Sequence, residues 1–467
     1  MRKSIHDLRT AVSLNKVTNY CTKELEPLNF RMFISSLEIQ KRIALDAILI
    51  VDKLITKNER SVISIGHSTY SAISSIIMEN ILISYMEHLD VTKLKNRHSQ
   101  KALILNIKWL KGILELTLPE NCPALPEFTR DMKYLKKLEK FQLLTSCTDA
   151  IIKRLGENCP NMNYLNISFS KKVTNECLQN LLSLKKLTYL NISSTYISID
   201  TYKIILNQLK SITNISWREN GIEEILTDID EEILKHKDTF EGKIKAPKIL
   251  VGRCPNIVSL TLETSEIIDL TPISEFGTLE NVTLNGVNFA LCNVVNIFGE
   301  LGIFLSSVYL KSIEELNVSI LVKYCMCLHS LTIENCKFSS DEINTVFAMP
   351  HFQNLTKLSL MSNTGDRWYI NNVKYYKDLW TLNADSVEGF DDDFFKEAFE
   401  NGAFTNLHEF TVRKGGRISI KTANLLIDSC PDLKVIGYLK EWTGLTPIDT
   451  EMIMEKIREN NYNLKVS

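Results

Sequence analysis

One six-residue pattern recurs so regularly along this chain that few folds can accommodate it. Met162-Asn163-Tyr164-Leu165-Asn166-Ile167 is apolar at its first, fourth and sixth positions, and Leu187-Thr188-Tyr189-Leu190-Asn191-Ile192 repeats it 25 residues later. The same frame returns at Ile113, Leu138, Met162, Leu187, Ile212, Ile257, Leu279, Leu305, Leu328, Leu355, Leu379, Leu407 and Leu433. Twelve intervals separate these thirteen markers; eleven lie between 22 and 28 residues, and one, from Ile212 to Ile257, is 45. A period near 25 is the mark of a stacked repeat array.

The pattern also dictates what each unit is. Alternation such as Leu358-Ser359-Leu360 gives a short strand with apolar side chains on one face and polar ones on the other. Between strands lie amphipathic stretches with helix-start residues: Thr148-Asp149 before Ile151, Ile152 and Leu155, and Asp341-Glu342 before Ile343, Val346 and Phe347. A single unit cannot bury its own apolar face. Successive units must therefore stack, which predicts an α/β solenoid with a curved parallel sheet on the inside and helices on the convex side.

Cys159, Cys254, Cys325 and Cys430 each stand three residues before a marker, the first in the sequence Cys-Pro-Asn. With Val173-Thr174-Asn175-Glu176-Cys177-Leu178 and Cys336, the chain resembles the cysteine-containing subfamily of leucine-rich repeat proteins. In that setting such cysteines are expected to be small buried residues closing a helix.

The expected organisation has three parts. Residues 1–108 lack the repeat and read as helices (Leu14–Leu25, Leu37–Leu54, Ser71–Leu89), a cap over the first repeat that also serves as an adaptor-binding module. Residues 109–442 hold the repeats. Residues 443–467 form a C-terminal helical cap opening at Pro447-Ile448-Asp449. The long interval holds either a degenerate repeat or an insertion; an inserted acidic loop over 219–241, with nine acidic residues against Lys235 and Lys237, is the preferred reading, because Lys243 to Cys254 already supplies the helix before Ile257.

Catalytic signatures are missing from the sequence. No Gly-rich phosphate cradle occurs, nor His-Glu-x-x-His. Gly66-His67-Ser68-Thr69-Tyr70 lacks the final glycine of a nucleophile elbow, and Cys325-Met326-Cys327 has no second pair with which to bind zinc. The reading is a non-enzyme without cofactor or metal. Formal net charge is −2, which gives no electrostatic footprint for nucleic acid, so no nucleic-acid partner is expected; no segment is apolar enough to span a bilayer, so no membrane partner is expected either. Without an apolar stretch behind the N-terminal charges, an intracellular, unsecreted chain with reduced thiols is expected. Its six Asn-x-Ser/Thr sequons are then incidental.

Partners are expected on the concave face. There the outward strand positions place Tyr164 beside Tyr189, with Arg218 one strand on; Tyr309 and Arg413 follow further along. Aromatic and arginine side chains dominate interface energetics, so these five are the candidate partner-binding residues. The array also resembles the substrate receptors of cullin-RING ubiquitin ligases, in which an N-terminal helical module docks an adaptor. Val17-Thr18-Asn19-Tyr20-Cys21-Thr22-Lys23-Glu24-Leu25 is similar to the Elongin C-binding box, which implies that Val17, Cys21 and Leu25 enter the adaptor groove. Ile76 to Met86 is similar to the opening helix of an F-box, implying a Skp-type adaptor instead. The competing reading is a scaffold or inhibitor with no ligase role.

Overall fold

The computed structural model describes residues 86–467 except 124–125, 340–351, 353, 366–371, 388, 415–416, 461, 463 and 467, together with 48, 49, 52, 53, 56, 75 and 78. Val17, Cys21, Leu25, Ser68 and the Asp341-Glu342 helix start lie outside the described residues. The chain divides into two compact units, residues 1–219 and 220–467.

In the first unit, strands β1 (His88–Asp90), β2 (Glu115–Thr117), β3 (Lys140–Gln142), β4 (Tyr164–Asn166) and β5 (Tyr189–Asn191) pair in parallel, in chain order. The central residue of each (Leu89, Leu116, Phe141, Leu165, Leu190) is no more than 2% exposed. Each strand is followed by a helix whose own apolar side closes the same layer. In the helix Asp149–Asn158, for example, Ile151, Ile152 and Leu155 are fully buried. The Thr148 hydroxyl caps that helix by accepting from the Ile151 amide at 3.3 Å. Burying each such leucine or isoleucine stabilises the fold by about 1.5–3 kcal/mol.

The cysteine positions behave as their spacing implies. Cys159, Cys254, Cys325 and Cys430 are each the C-cap of a helix. The Cys159 thiol donates to the Leu135 carbonyl of the preceding repeat at 3.3 Å, and Cys430 does the same to Phe404 at 3.2 Å. Burial pushes all four thiols up to about 12. At neutral pH they are therefore compact apolar fillers with one weak donor, not nucleophiles. The ten described cysteines are all free.

Beside β5 the construction changes. Strand β6 (Asn214–Trp217) is buried along its whole length, and the Asn214 side chain serves where backbone would normally pair. Its Nδ2 donates to the Leu190 carbonyl and its Oδ1 accepts from the Leu190 amide, both at 2.9 Å. Behind it Tyr202 and Trp217 stack at 5.2 Å, and the Tyr202 hydroxyl accepts from the Ser216 amide at 3.0 Å.

In the second unit the ladder runs β7 (Thr239–Gly242), β8 (Ser259–Glu263), β9 (Asn281–Asn285), β10 (Ser307–Lys311) and β11 (Ser330–Glu334). It continues through β13 (Lys357–Met361), β15 (Thr381–Asp385), β16 (Glu409–Arg413), β17 (Val435–Gly437) and β18 (Lys465–Val466). Every neighbouring pair is parallel and in register. Two short strands, β12 (Lys337–Phe338) and β14 (Thr364–Gly365), pair separately. Each unit is thus a leucine-rich repeat α/β structure.

Three stretches differ from the expectation. Residues 219–241 are not an inserted loop: they hold helices Ile222–Asp228 and Glu231–Lys235 and then β7, which pairs with β8. The marker of this repeat is Lys237, 25 residues after Ile212, and a lysine at an apolar position hides the frame. Repeats also begin before residue 109, because β1 pairs with β2 and the helix Arg97–Asn106 follows it. The helix expected over Ser71–Leu89 therefore cannot reach Leu89. At the far end the expected helix is present as Pro447–Glu459, with a Thr446–Asp449 capping box, but it is followed by a further ladder strand, β18.

Two contacts tie earlier residues to the first repeat. The buried Asp52 carboxylate accepts from the amides of Asn96 and Lys95 at 2.8 and 3.1 Å, and Asn106 donates to Ser75. Both use a side chain to satisfy polar groups that a helix end or turn leaves open.

Candidate protein-recognition surface

The face of the first-unit sheet opposite its helices is formed by the first and third residues of each short strand. Parallel pairing brings the first residues into one row: His88, Glu115, Lys140, Tyr164 and Tyr189. The row begins with charge. Glu115 lies 2.6 Å from the Lys140 ammonium and 3.2 Å from His88. Lys140 holds the Glu115 carboxyl below its ordinary range, and Glu115 raises Lys140 in turn. The row then becomes aromatic. Tyr164 and Tyr189 stack with centroids 4.3 Å apart and planes 5° from parallel, each half-buried.

Arg218 is seen against a different ring. It lies one residue past the end of β6, and its guanidinium sits over the Phe169 ring at 5.3 Å. Phe169 itself gives no sign in the repeat pattern. It occupies the turn after β4 with φ of 63°, a backbone region that bulky residues rarely adopt, and is 40% exposed. Tyr196, 64% exposed with Lys171 over its ring at 5.5 Å, is a second aromatic not anticipated from the sequence. The signal for both was an aromatic in a turn position outside the apolar frame.

Tyr309 and Arg413 lie in the second unit and form separate clusters. The Tyr309 hydroxyl donates to Glu334, which also pairs with Lys311 at 2.8 Å. Burial and the Glu334 carboxylate push the Tyr309 hydroxyl well above its usual range. Arg413 lies over Tyr438 at 4.8 Å, with Nε 3.8 Å from Glu441. Four strand spacings separate β10 from β16, about 19 Å, so these two residues do not touch each other.

Many of the third strand residues carry hydroxyls or amides. In β13, β15 and β16, Asn383 donates to Ser359 at 3.4 Å and accepts from Thr411. Three of the sequons fall at Asn166, Asn191 and Asn214; Asn191 and Asn214 are buried, and Asn214 is committed to Leu190. Among the described residues no group of three His, Cys, Asp or Glu is placed to hold a metal ion, and no helix is long and apolar enough to cross a membrane.

No family model matches this chain, and no curated protein does. Solved structures do. An internalin from Listeria monocytogenes is similar over 79% of this chain and 88% of its own, at 15% identity and a TM-score of 0.32. The yeast Rad7 and Elc1 complex is similar over 92% and 94%, at 15% identity and a TM-score of 0.36. A leucine-rich repeat protein of Leptospira interrogans is similar over 93% and 99%, at 15% identity and a TM-score of 0.28. The leucine-rich repeat assignment rests on the parallel ladder itself.

Proposed function

We propose that this chain is a non-catalytic protein-recognition subunit, and that its partner is held on the open sheet face of residues 86–219. The observation that carries this reading is the Tyr164–Tyr189 stack. Two parallel rings fixed by adjacent strands offer a rigid amphipathic surface at low entropic cost, the property that makes tyrosine an interface anchor. Arg218 over Phe169 extends the aromatic surface at the strand ends. Tyr309 and Arg413, both in the second unit, are candidate contacts of that unit alone.

In this reading the recognition surface belongs to a cullin-RING ubiquitin ligase receptor, with Val17, Cys21 and Leu25 entering Elongin C. The support is the spacing of those three residues in a helix-forming N-terminal stretch. Affinity purification of the full chain from cell extract tests both halves at once. Cys21→Asp should release Elongin C and keep the target. Tyr164→Ala with Tyr189→Ala should release the target and keep Elongin C. Absence of any cullin adaptor from the wild-type eluate removes the ligase role and leaves a scaffold.

A further inference from the structure

The chain-wide charge of −2 is an average over two opposite halves. Residues 1–219 carry 31 Lys and Arg against 20 Asp and Glu, whereas residues 220–467 carry 23 against 36. Within the first unit the surplus is not scattered. The turn that leads into each strand has two positions, four and three residues before the strand begins. Lys111 precedes β2, Lys136 and Lys137 precede β3, Lys185 and Lys186 precede β5, and Lys210 precedes β6. All six are exposed.

Stacking turns these positions into a row along one edge. Five strands span four steps of about 4.8 Å, so six ammonium groups fall within about 19 Å. The gap at β4, where Pro160 and Asn161 stand, is bridged: the Lys186 Nζ reaches Asn161 Oδ1 at 2.7 Å. Among the described residues, the ion pairs of this unit join His88 and Lys140 to Glu115, Arg130 to Asp131, Arg154 to Glu157 and Lys203 to Asp200; they leave these six lysines out. The same turn positions in the second unit carry a different chemistry. Ile303, Phe304 and Met326 are exposed there, and Lys377 stands beside Asp378. The repeat fold therefore does not require lysine at these positions.

We infer that this lysine edge binds the phosphodiester backbone of a nucleic acid. A linear polyanion can meet such a row of like charges along its whole length, and along the axis of a DNA duplex each strand carries a phosphate about every 3.4 Å. The Tyr164–Tyr189 stack begins three residues beyond Lys186, where an unpaired base can lie against an aromatic face. An acidic protein surface satisfies the charge but does not use the stacking platform. This inference shares the Tyr164–Tyr189 stack with the protein-target reading; the lysine edge is its own, so charge reversal at the lysines tests it separately from the tyrosine variants.

Fluorescence anisotropy with the full chain and labelled 30-nucleotide single-stranded DNA, single-stranded RNA and a 30-base-pair duplex tests it. Binding should weaken steeply between ~50 and ~200 mM salt, with a log–log slope near −4 for single strands, as expected for about six phosphates. Lys136→Glu, Lys137→Glu, Lys185→Glu and Lys186→Glu together should lower affinity at least tenfold. Lys396→Glu, Lys421→Glu, Lys434→Glu and Lys440→Glu, the same charge change in the other unit, should alter it less than twofold. Thermal melts of both quadruple variants confirm that each is folded. The inference fails if none of the three probes binds at low salt, or if the two quadruple variants lose affinity equally. It fails as well if polyglutamate of matched charge competes as strongly as the oligonucleotide, which assigns the edge to acidic protein.

Discussion

From β2 to β5 the strands stop after three residues, whereas the ladder strands from β8 to β16 run for five. The turn that ends each repeat nevertheless falls at the same place in both units. A residue of positive φ lies five positions after the first strand residue: Thr145, Phe169 and Ser194 in one unit, and Gly286, Ser312, Asn335, Ser362, Ser386 and Lys414 in the other. The repeat fixes the turn, so something else must set strand length. The third strand residue accounts for two of the short strands, β4 and β5; β2 stops after three residues with Thr117 there, and β15 runs for five with Asn383 there. In β4 and β5 it is Asn166 and Asn191, whose side chains accept from the Ser168 and Ser193 amides at 3.2 and 3.1 Å. Such Asx turns draw the backbone out of the ladder. In β8, β9, β11 and β16 the same position is threonine, which suits a continuing strand. The consequence is functional: a short strand presents two outward residues, and in β4 and β5 the first of them is a stacked tyrosine.

The largest effects test whether both units bury equivalent cores. Leu190→Ala in β5 and Leu331→Ala in β11 each truncate a fully buried side chain and should cost about 3 kcal/mol. Denaturant unfolding followed by circular dichroism measures both, and a cost below about 1 kcal/mol at either site breaks the equivalence. Next comes the side-chain splice in the first unit. Asn214→Leu leaves the Leu190 amide and carbonyl without their partner and should cost about 2–3 kcal/mol, while Asn281→Leu at the equivalent, half-buried position of β9 should cost less than about 1.

Lys237 should respond in the opposite direction. Burial lowers its amine to about 8 from an ordinary value near 10.5, because the charged form is poorly solvated at an apolar marker position. Between these two values the unfolded chain binds more protons than the folded one, so stability should rise as pH increases from 8 to 10.5. Lys237→Leu should remove that slope and stabilise the chain by about 1–3 kcal/mol at pH 7. A variant that melts earlier than wild type overturns the assignment of Lys237 to the marker position. The smallest effect concerns the shared turn. Phe169→Gly and Ser312→Gly relieve the same left-handed strain and should each gain up to about 1 kcal/mol. Only Phe169→Gly should also weaken partner capture, which separates the functional turn from the structural one.

The strand frame was readable wherever the marker was apolar, because alternation of two and a period near 25 are direct images of pleat and stacking. The cysteine caps were readable for the same reason, as was the adjacency of Tyr164 and Tyr189. The repeat ending in β7 was hidden by Lys237, and β1 by a core contribution of one leucine between His88 and Asp90. Strand β18 has two residues and too little pattern to reveal itself. Arg218 was placed with the tyrosines by counting along the frame, but β6 ends at Trp217, so its side chain turns to Phe169. Phe169 stands at the repeat's positive-φ turn position and Tyr196 in a later turn, both outside the apolar frame. Their importance comes from where a turn leaves them.

Quantitative co-purification with the Tyr164→Ala, Tyr189→Ala double variant tests the central claim most directly. If the stacked face holds the partner, protein target recovered per unit of bait should fall at least tenfold while the melting temperature stays within a few degrees of wild type. Undiminished recovery from a folded double variant would place recognition elsewhere on the chain and contradict the account.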